Sequence, residues 1–140
     1  MGDVFKNNTD IVNMSDFGTV FHNCTQLNQT FYGCSNLKTI DISNVVTLDR
    51  AFCNCTSLEM EINAPNLTGE LLGNNLTGCF TNTKITNIIN IGNISTIGVF
   101  CFANCSLLTE VNIPQTVTEI KNSGFENCSS LSSISTLENV

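Results

Sequence analysis

The chain has 140 residues, which suits one domain, and 41% of them are apolar, so a continuous core can form. Its net charge of −7 and its five scattered basic residues argue against a nucleic-acid partner and against attraction to an acidic membrane surface. No apolar stretch approaches the roughly 18 residues of a membrane-spanning helix, and the N-terminus lacks the basic-then-apolar pattern of a signal peptide.

A seven-residue phrase recurs seven times along the chain: Phe, any residue, Asn or Gly, Cys, Ser or Thr, any residue, and Leu or Ile. Its copies begin at Phe5, Phe21, Phe31, Phe52, Phe80, Phe102 and Phe125. The copy at Phe80 is one residue short and lacks the Cys. Successive spacings are 16, 10, 21, 28, 22 and 23 residues. The first copies are therefore irregular, and we expect Phe21 and Phe31 to share one coil.

Two further phrases follow the first. Residues 37–42 (LKTIDI) and 108–113 (LTEVNI) alternate apolar and polar side chains, which predicts short strands with one buried face. Residues 113–120 (IPQTVTEI) then bring further regularly spaced apolar residues. Each repeat thus carries six or seven apolar residues that one coil cannot bury alone. Stacking the coils buries them, so the sequence predicts a solenoid.

These phrases resemble the repeat of BspA-like leucine-rich-repeat proteins, which reads approximately L-x-x-I-x-I-P-x-x-V-x-x-I-x-x-x-A-F-x-x-C-x-x-L. Residues 102–134 match it best. The resemblance implies a leucine-rich-repeat solenoid of about five or six coils, in which turns or short helices join short parallel β-strands. We expect one domain over residues 1–140. Its parts would be degenerate coils at 1–36, regular coils at 37–62 and 80–134, and an irregular insert at 63–79.

The resemblance also implies surface attachment, since family members include bacterial adhesins, protist surface proteins and phage-encoded relatives. We expect a non-enzymatic recognition or adhesion module for a protein or glycan, located outside the cell, at its surface or in a virion. The alternative is a structural subunit of a virion, filament or other surface assembly. Solenoids offer extended binding surfaces. Here the solvent face of the stacked strands would supply Lys38, Thr39, Asp41, Glu59, Glu61, Thr109, Glu110 and Asn112.

The eight cysteines allow three interpretations: buried thiols, disulfides or a metal site. Five of them hold the position three residues after the Phe, namely Cys24, Cys34, Cys55, Cys105 and Cys128. Equivalent positions in stacked coils project in parallel, which is poor geometry for a disulfide, and a free Cys behaves as a small buried hydrophobe. A ladder of buried thiols is therefore favoured, although disulfides stay open for an exported protein. No Cys-x-x-Cys pair occurs, so we expect neither a metal nor another cofactor.

Asparagine recurs one position before that Cys, at Asn7, Asn23, Asn54, Asn82, Asn104 and Asn127. Glycosylation acceptor sequences begin at Asn23, Asn54, Asn104 and Asn127 among others. Asparagine also tolerates turn conformations and bonds neighbouring backbone, so a structural role at the coil corner is favoured.

Candidate catalytic groups are few. His22, the only histidine, lies two residues from Cys24, but no third group is evident to orient such a nucleophile pair. Glu59 and Glu61 would lie on an open strand rather than in the pocket that a pair of catalytic carboxylates needs. We therefore expect no catalytic site.

The C-terminal repeat continues through Leu131 and Ile134, with six residues after it. Repeat arrays need terminal caps with a polar outer face, and no capping helix fits in that margin. We therefore expect the C-terminal coil to pack against another copy, a following domain or a larger assembly.

Overall fold

The protein is a parallel β-solenoid. The computed structural model describes residues 2–14, 23–74 and 76–137. Within them lie seven strands: β1 (Glu61–Asn63), β2 (Thr68–Leu71), β3 (Asn87–Asn90), β4 (Asn93–Ile97), β5 (Glu110–Pro114), β6 (Glu119–Ile120) and β7 (Ser133–Leu137). They form a four-stranded sheet, β1-β3-β5-β7, and a three-stranded sheet, β2-β4-β6. Both sheets are parallel, and each strand pairs with its equivalent in the next coil. The predicted solenoid is confirmed.

The paired strands cover about three turns, and isolated bridges extend both ladders towards the N-terminus. Asn13 is bridged to Thr39, in line with the four-stranded sheet. Further bridges in line with the three-stranded sheet join Gly2 to Asn28, Gln26 to Thr47 and Asp49 to Leu72. The N-terminal coils therefore stack like the others, although they contain few regular strand residues.

The corners of the coils are sharp because residues close to each stacked phenylalanine adopt left-handed backbone conformations, one after it in every coil and one before it in five. The residue two positions after the Phe has φ of 58–74° in all six coils, at Asn7, Gly33, Asn54, Asn82, Asn104 and Asn127. The residue two positions before it has φ of 48–58° in five coils, at Asp3, Gln29, Arg50, Phe100 and Ser123. Left-handed residues do not continue a right-handed helix. The connections in the described ranges are accordingly turns, without the short α-helices allowed for in the prediction.

The centre of the core is a column of six stacked phenylalanine rings, one from each coil. Neighbouring centroids lie 5.2–5.7 Å apart with interplanar angles of 3–19°. The four inner rings are fully buried, and the outer two are partly buried. This confirms the predicted core role of Phe5, Phe31, Phe52, Phe80, Phe102 and Phe125.

The copy of the phrase at Phe21 does not mark a coil of its own. Phe5 stacks directly on Phe31, 26 positions further along the chain, so these two copies of the phrase are neighbours in the stack. Phe21 itself lies outside the described residues. Residues 24–27 align with residues 45–48 of the next coil, since the Leu27 N–H donates to Thr47 O at 3.2 Å and residues 46 and 47 bond back to residue 25. The prediction that Cys24 and Asn23 share the repeat position of the later Cys–Asn pairs is therefore wrong.

The segment 63–79, where an irregular insert was expected, contains β2, which pairs with β4 in the three-stranded sheet with one shift of register between Gly69 and Glu70. The additional residues of this coil lie near Asn74, whose Oδ1 accepts hydrogen bonds from the Leu76 and Thr77 N–H groups and from the Thr77 hydroxyl. Gly78 lies so close to the Cys101 backbone that a Cβ atom would not fit. After these additional residues, the chain packs against the next coil again, since the Phe80 N–H donates to Cys101 O at 2.8 Å.

Candidate functional site

The predicted contact residues lie along the four-stranded sheet and its N-terminal continuation. β1 carries Glu61, and β5 carries Glu110 and Asn112. The Glu59 N–H donates to Lys38 O at 3.1 Å, which joins these two positions across adjacent coils. Seven of the eight residues are exposed, and Asn112 is half-buried. The structure thus brings Lys38, Thr39, Asp41, Glu59, Glu61, Thr109, Glu110 and Asn112 onto one sheet surface, hereafter the strand face.

Side-chain hydrogen bonds connect the strand face from coil to coil. Asn87 Nδ2 donates to Glu61 Oε1 at 3.2 Å, and Thr109 Oγ1 donates to Asn87 Oδ1 at 2.8 Å. Ser135 Oγ donates to Asn112 Oδ1. Asn87 and Ser135 were not among the predicted residues. Both occupy the strand position of a predicted residue in the neighbouring coil, so the repeat alignment contains the signal that identifies them.

The strand face is acidic. One of its eight predicted residues is basic and four are acidic, which gives them a net charge of −3. In the part of the chain that the structure describes, the two ion pairs join Lys6 to Asp3 and Arg50 to Asp49, away from this surface. The carboxylates of the strand face therefore present their charge to solvent, where it attracts cationic groups over about a Debye length.

A second surface, a groove beside the three-stranded sheet, was not predicted. It has a volume of about 530 Å³ and crosses three coils. This surface is hereafter called the second-sheet groove. The residues that line it are Gln26, Asn28, Thr47, Leu48, Asp49, Thr68, Gly69, Glu70 and Leu72. The pairing register between β2 and β4 shifts between Gly69 and Glu70. Gly69 has φ of 76°, and a Cβ atom there would meet nothing within 4 Å, so the surface is open at that point.

Some polar side chains of the second-sheet groove have hydrogen-bond partners within the protein, and one does not. Arg50 donates to both carboxylate oxygens of Asp49, at 2.9 and 3.2 Å, which fixes that carboxylate and raises the pKa of the guanidinium. Thr47 Oγ1, by contrast, is buried without a hydrogen-bond partner. An unsatisfied buried hydroxyl is uncommon in folded proteins and calls for an explanation.

The thiol ladder is present, with one member fewer than predicted. Cys34, Cys55, Cys105 and Cys128 each donate to the carbonyl oxygen of the phenylalanine one coil earlier, at 3.0–3.2 Å. All eight cysteines are free thiols. Burial raises the pKa of the Cys105 thiol to about 12 and moves the pKa of Cys79 well above its ordinary value. These thiols hold little thiolate near neutral pH, so they are poor nucleophiles.

The asparagine position forms a second ladder, parallel to the thiols. Asn82 donates to Asn54 at 2.6 Å, Asn104 to Asn82 at 2.8 Å, and Asn127 to Asn104 at 2.9 Å. All four have left-handed backbone. The predicted structural role is confirmed at these positions, because each amide bridges two coils while its backbone turns the corner.

Catalytic and metal groups do not assemble in the described ranges. His22 lies outside them, so the geometry of the His22–Cys24 pair is not described. Glu59 and Glu61 lie on the open strand face. Among residues 2–14, 23–74 and 76–137, no group of three or more His, Cys, Asp or Glu side chains is placed to hold a metal ion.

When the sequence is compared with known protein families, one family model matches it. The model of the BspA-type leucine-rich-repeat region matches the chain in six copies, over residues 7–77 and 27–140. Six is also the number of rings in the phenylalanine column. No curated protein and no solved structure matches the chain. The described part of the chain contains no helix with the length and apolarity needed to span a bilayer. The repeated positions, the parallel stacking and the match over most of the sequence agree, and the chain belongs to the BspA-type leucine-rich-repeat family.

Proposed function

We propose that the chain is a non-enzymatic recognition module that binds a protein or glycan partner through the strand face. The fold of this family generally serves protein interaction, and its members are typically surface proteins. The observation that carries the proposal is the alignment of eight side chains, seven of them exposed, on one sheet surface. A broad, open surface of this kind suits a protein partner, because sites for small molecules are concave. We place the module outside the cell, at a cell surface or in a virion.

Two properties of the strand face support this role. Its hydrogen-bonded side chains, such as Asn87 and Thr109, are held in place before binding, so less conformational entropy is lost when a partner docks. Its exposed carboxylates favour a partner with a basic surface, mainly through a faster association rate. That contribution weakens as salt screens the charges.

Charge reversal tests the proposal. The triple variant Glu59→Lys/Glu61→Lys/Glu110→Lys changes the strand face, and Asp10→Lys/Glu119→Lys/Glu126→Lys makes the same change in net charge at exposed positions elsewhere. Each purified protein is used as bait for host-surface and matrix proteins, with cross-linking to locate the contact. We expect the strand-face variant alone to lose its partner. Equal capture by both variants, or cross-links from another surface, would contradict the proposal.

A second candidate function, a structural subunit, is favoured by the apolar surface of the C-terminal coil. Ile120 is 48% exposed and Ile134 is 57% exposed, on the outermost strands β6 and β7. Their equivalents one coil earlier, Ile97 and Val111, are buried. We propose that this coil packs against another copy or a larger assembly.

Light scattering over a concentration series tests the second candidate. We expect association that Ile134→Asn weakens, while the exposed Ile89→Asn on the strand face leaves it unchanged. A monomer at all concentrations, with Ile134 open to solvent, would exclude assembly between copies.

A further inference from the structure

We infer that the second-sheet groove binds a linear, β-linked oligosaccharide with one sugar unit against each coil. This site lies on the other sheet and is independent of the strand face. The inference rests on the size of the groove, its chemistry, the spacing of its coils and the unpartnered hydroxyl of Thr47.

The groove has the dimensions and chemistry of a saccharide site. Its volume of about 530 Å³ falls within the roughly 300–1,000 Å³ of ordinary ligand sites. Its lining offers two side-chain amides, two hydroxyls and two carboxylates. These groups together donate and accept hydrogen bonds, as the hydroxyl groups of a sugar require. Leu72, which is 45% exposed, adds an apolar surface for the C–H face of a sugar ring.

A cationic ligand fits the groove less well than a neutral one. Of its two carboxylates, Asp49 is already neutralised by the two hydrogen bonds from Arg50. Glu70 alone is a weak site for a cation. The fixed Asp49 carboxylate nevertheless has lone pairs left to accept bonds from adjacent sugar hydroxyls, because each carboxylate oxygen accepts more than one bond.

The coil spacing favours a linear β-linked chain. Paired strands lie about 4.8 Å apart, and the stacked rings at the centre of the coils lie 5.2–5.7 Å apart. One pyranose unit of an extended β-linked chain is of similar length. Bridged positions of adjacent coils, such as Gln26 with Thr47 and Asp49 with Leu72, would then each lie beside one of two consecutive sugars. An α-linked chain curves and would lose this match.

The Thr47 hydroxyl is the sharpest indication. It is buried without a hydrogen-bond partner, although Thr47 lines the groove and is itself only partly buried. Thr47 lines the groove, so a change of its χ1 rotamer is the movement by which the hydroxyl would reach a ligand there. A sugar hydroxyl there would satisfy it, which makes the bond favourable on binding without adding to the stability of the free protein.

Titration with defined oligosaccharides tests the inference. The probes are cellotriose and chitotriose, which are β-linked, maltotriose, which is α-linked, and the disaccharides cellobiose and chitobiose. Binding is followed by NMR chemical shifts of the intact chain. We expect one β-linked trisaccharide to bind at least fivefold more tightly than its disaccharide and than maltotriose. Absence of binding by both β-linked trisaccharides at about 10 mM, a concentration that detects very weak complexes, would overturn the inference, as would equal binding of maltotriose.

Two variants locate the site. Thr47→Val should weaken binding by about tenfold without lowering the midpoint of unfolding, because the hydroxyl has no partner to lose. Glu70→Gln should weaken it less. Thr118→Val makes the same change at an exposed position outside the groove and should bind like the wild type. If both groove variants bind the sugar normally, the groove is not the site. Either negative result leaves the proposed role of the strand face unaffected.

Discussion

The coils that contain Phe80 and Phe102 stack on one another, yet only the second carries the complete phrase. Their rings lie 5.4 Å apart at 5°, and both are fully buried. Where the second coil has Cys105, whose thiol donates to Phe80 O, the first has Thr83, whose hydroxyl donates to the same oxygen at 2.9 Å. The Cys position therefore requires a small buried donor, whereas the Phe position requires a large flat side chain. Equivalent positions of the repeat therefore differ in how many kinds of side chain they accept: the Cys position accepts Cys or Thr, whereas the Phe position holds Phe in both coils.

Removing a ring should have the largest effect and should be the same in both coils. We expect Phe80→Ala and Phe102→Ala each to lower the free energy of unfolding by about 3–5 kcal/mol, the usual range for buried aromatic truncations. Phe125→Ala should cost less, because Phe125 is partly buried and stacks on one side only. Urea denaturation measures all three. An equal loss at Phe125 would show that the C-terminal coil is covered in solution.

The asparagine ladder gives the next largest effect. Asn104→Ala should lower the free energy of unfolding by about 1–2 kcal/mol, because alanine is strained at φ of 59° and the bonds to Asn82 and Asn127 are lost. Asn104→Gly removes the same bonds but tolerates the backbone, so it should cost less. If the Phe80 coil is equivalent to the Phe102 coil, Asn82→Ala should likewise lower the free energy of unfolding more than Asn82→Gly does. Equal losses for Ala and Gly would mean that backbone conformation is not what selects asparagine.

The two coils should differ in alkaline solution. Burial raises the pKa of Cys105 from 9.0 to about 12, so the unfolded chain loses this proton first. The stability contributed by this group is complete below about pH 9 and is lost between about pH 9 and 12, and the loss at pH 10 is about 1–2 kcal/mol. Cys105→Thr makes this coil resemble its neighbour and should reduce the decline between pH 8 and 10 by the contribution of one thiol, while Cys79 and the other buried thiols still contribute. An unchanged slope in urea denaturation at these pH values would contradict the buried thiol.

The smallest effect should come from completing the phrase. Thr83→Cys restores the missing thiol, and we expect a change below about 1 kcal/mol at neutral pH, since both side chains are small donors in a buried position. Thermal unfolding with Thr83→Val as the control checks this, because valine keeps the shape but removes the donor. Valine should be the more damaging substitution, and the reverse order would show that volume alone matters here.

Sequence reasoning succeeded where one position combines burial with a special backbone conformation. The repeated Phe and Asn positions are of this kind, and they allowed the solenoid and its core to be predicted. The position two residues before the Phe is also left-handed, but it holds Asp3, Gln29, Arg50 or Phe100, which share no chemical property. No sequence pattern could therefore indicate that turn, and the prediction left open whether turns or short helices join the strands.

The alignment of residues between neighbouring coils was the other property that the sequence could not predict. The residues after Phe21 imitate the phrase, but hydrogen bonds between coils place Thr25 beside Val46 instead. The strand face followed from simple alternation, so its residues could be chosen from the sequence. The second-sheet groove depends on the register shift beside Gly69 and on which coils become neighbours, and neither is encoded within any single repeat.

The phenylalanine column also bears on how fast the chain folds. Rings that touch are separated by only 21 to 28 residues along the sequence, whichever pair is taken. The loop that must close to add a coil thus keeps nearly the same length, and its entropic cost stays nearly constant. Any adjacent pair of coils can serve as a nucleus, and growth proceeds in both directions from it. Adding coils to such a chain lowers its relative contact order, so a longer version would gain surface without a slower search for its native contacts.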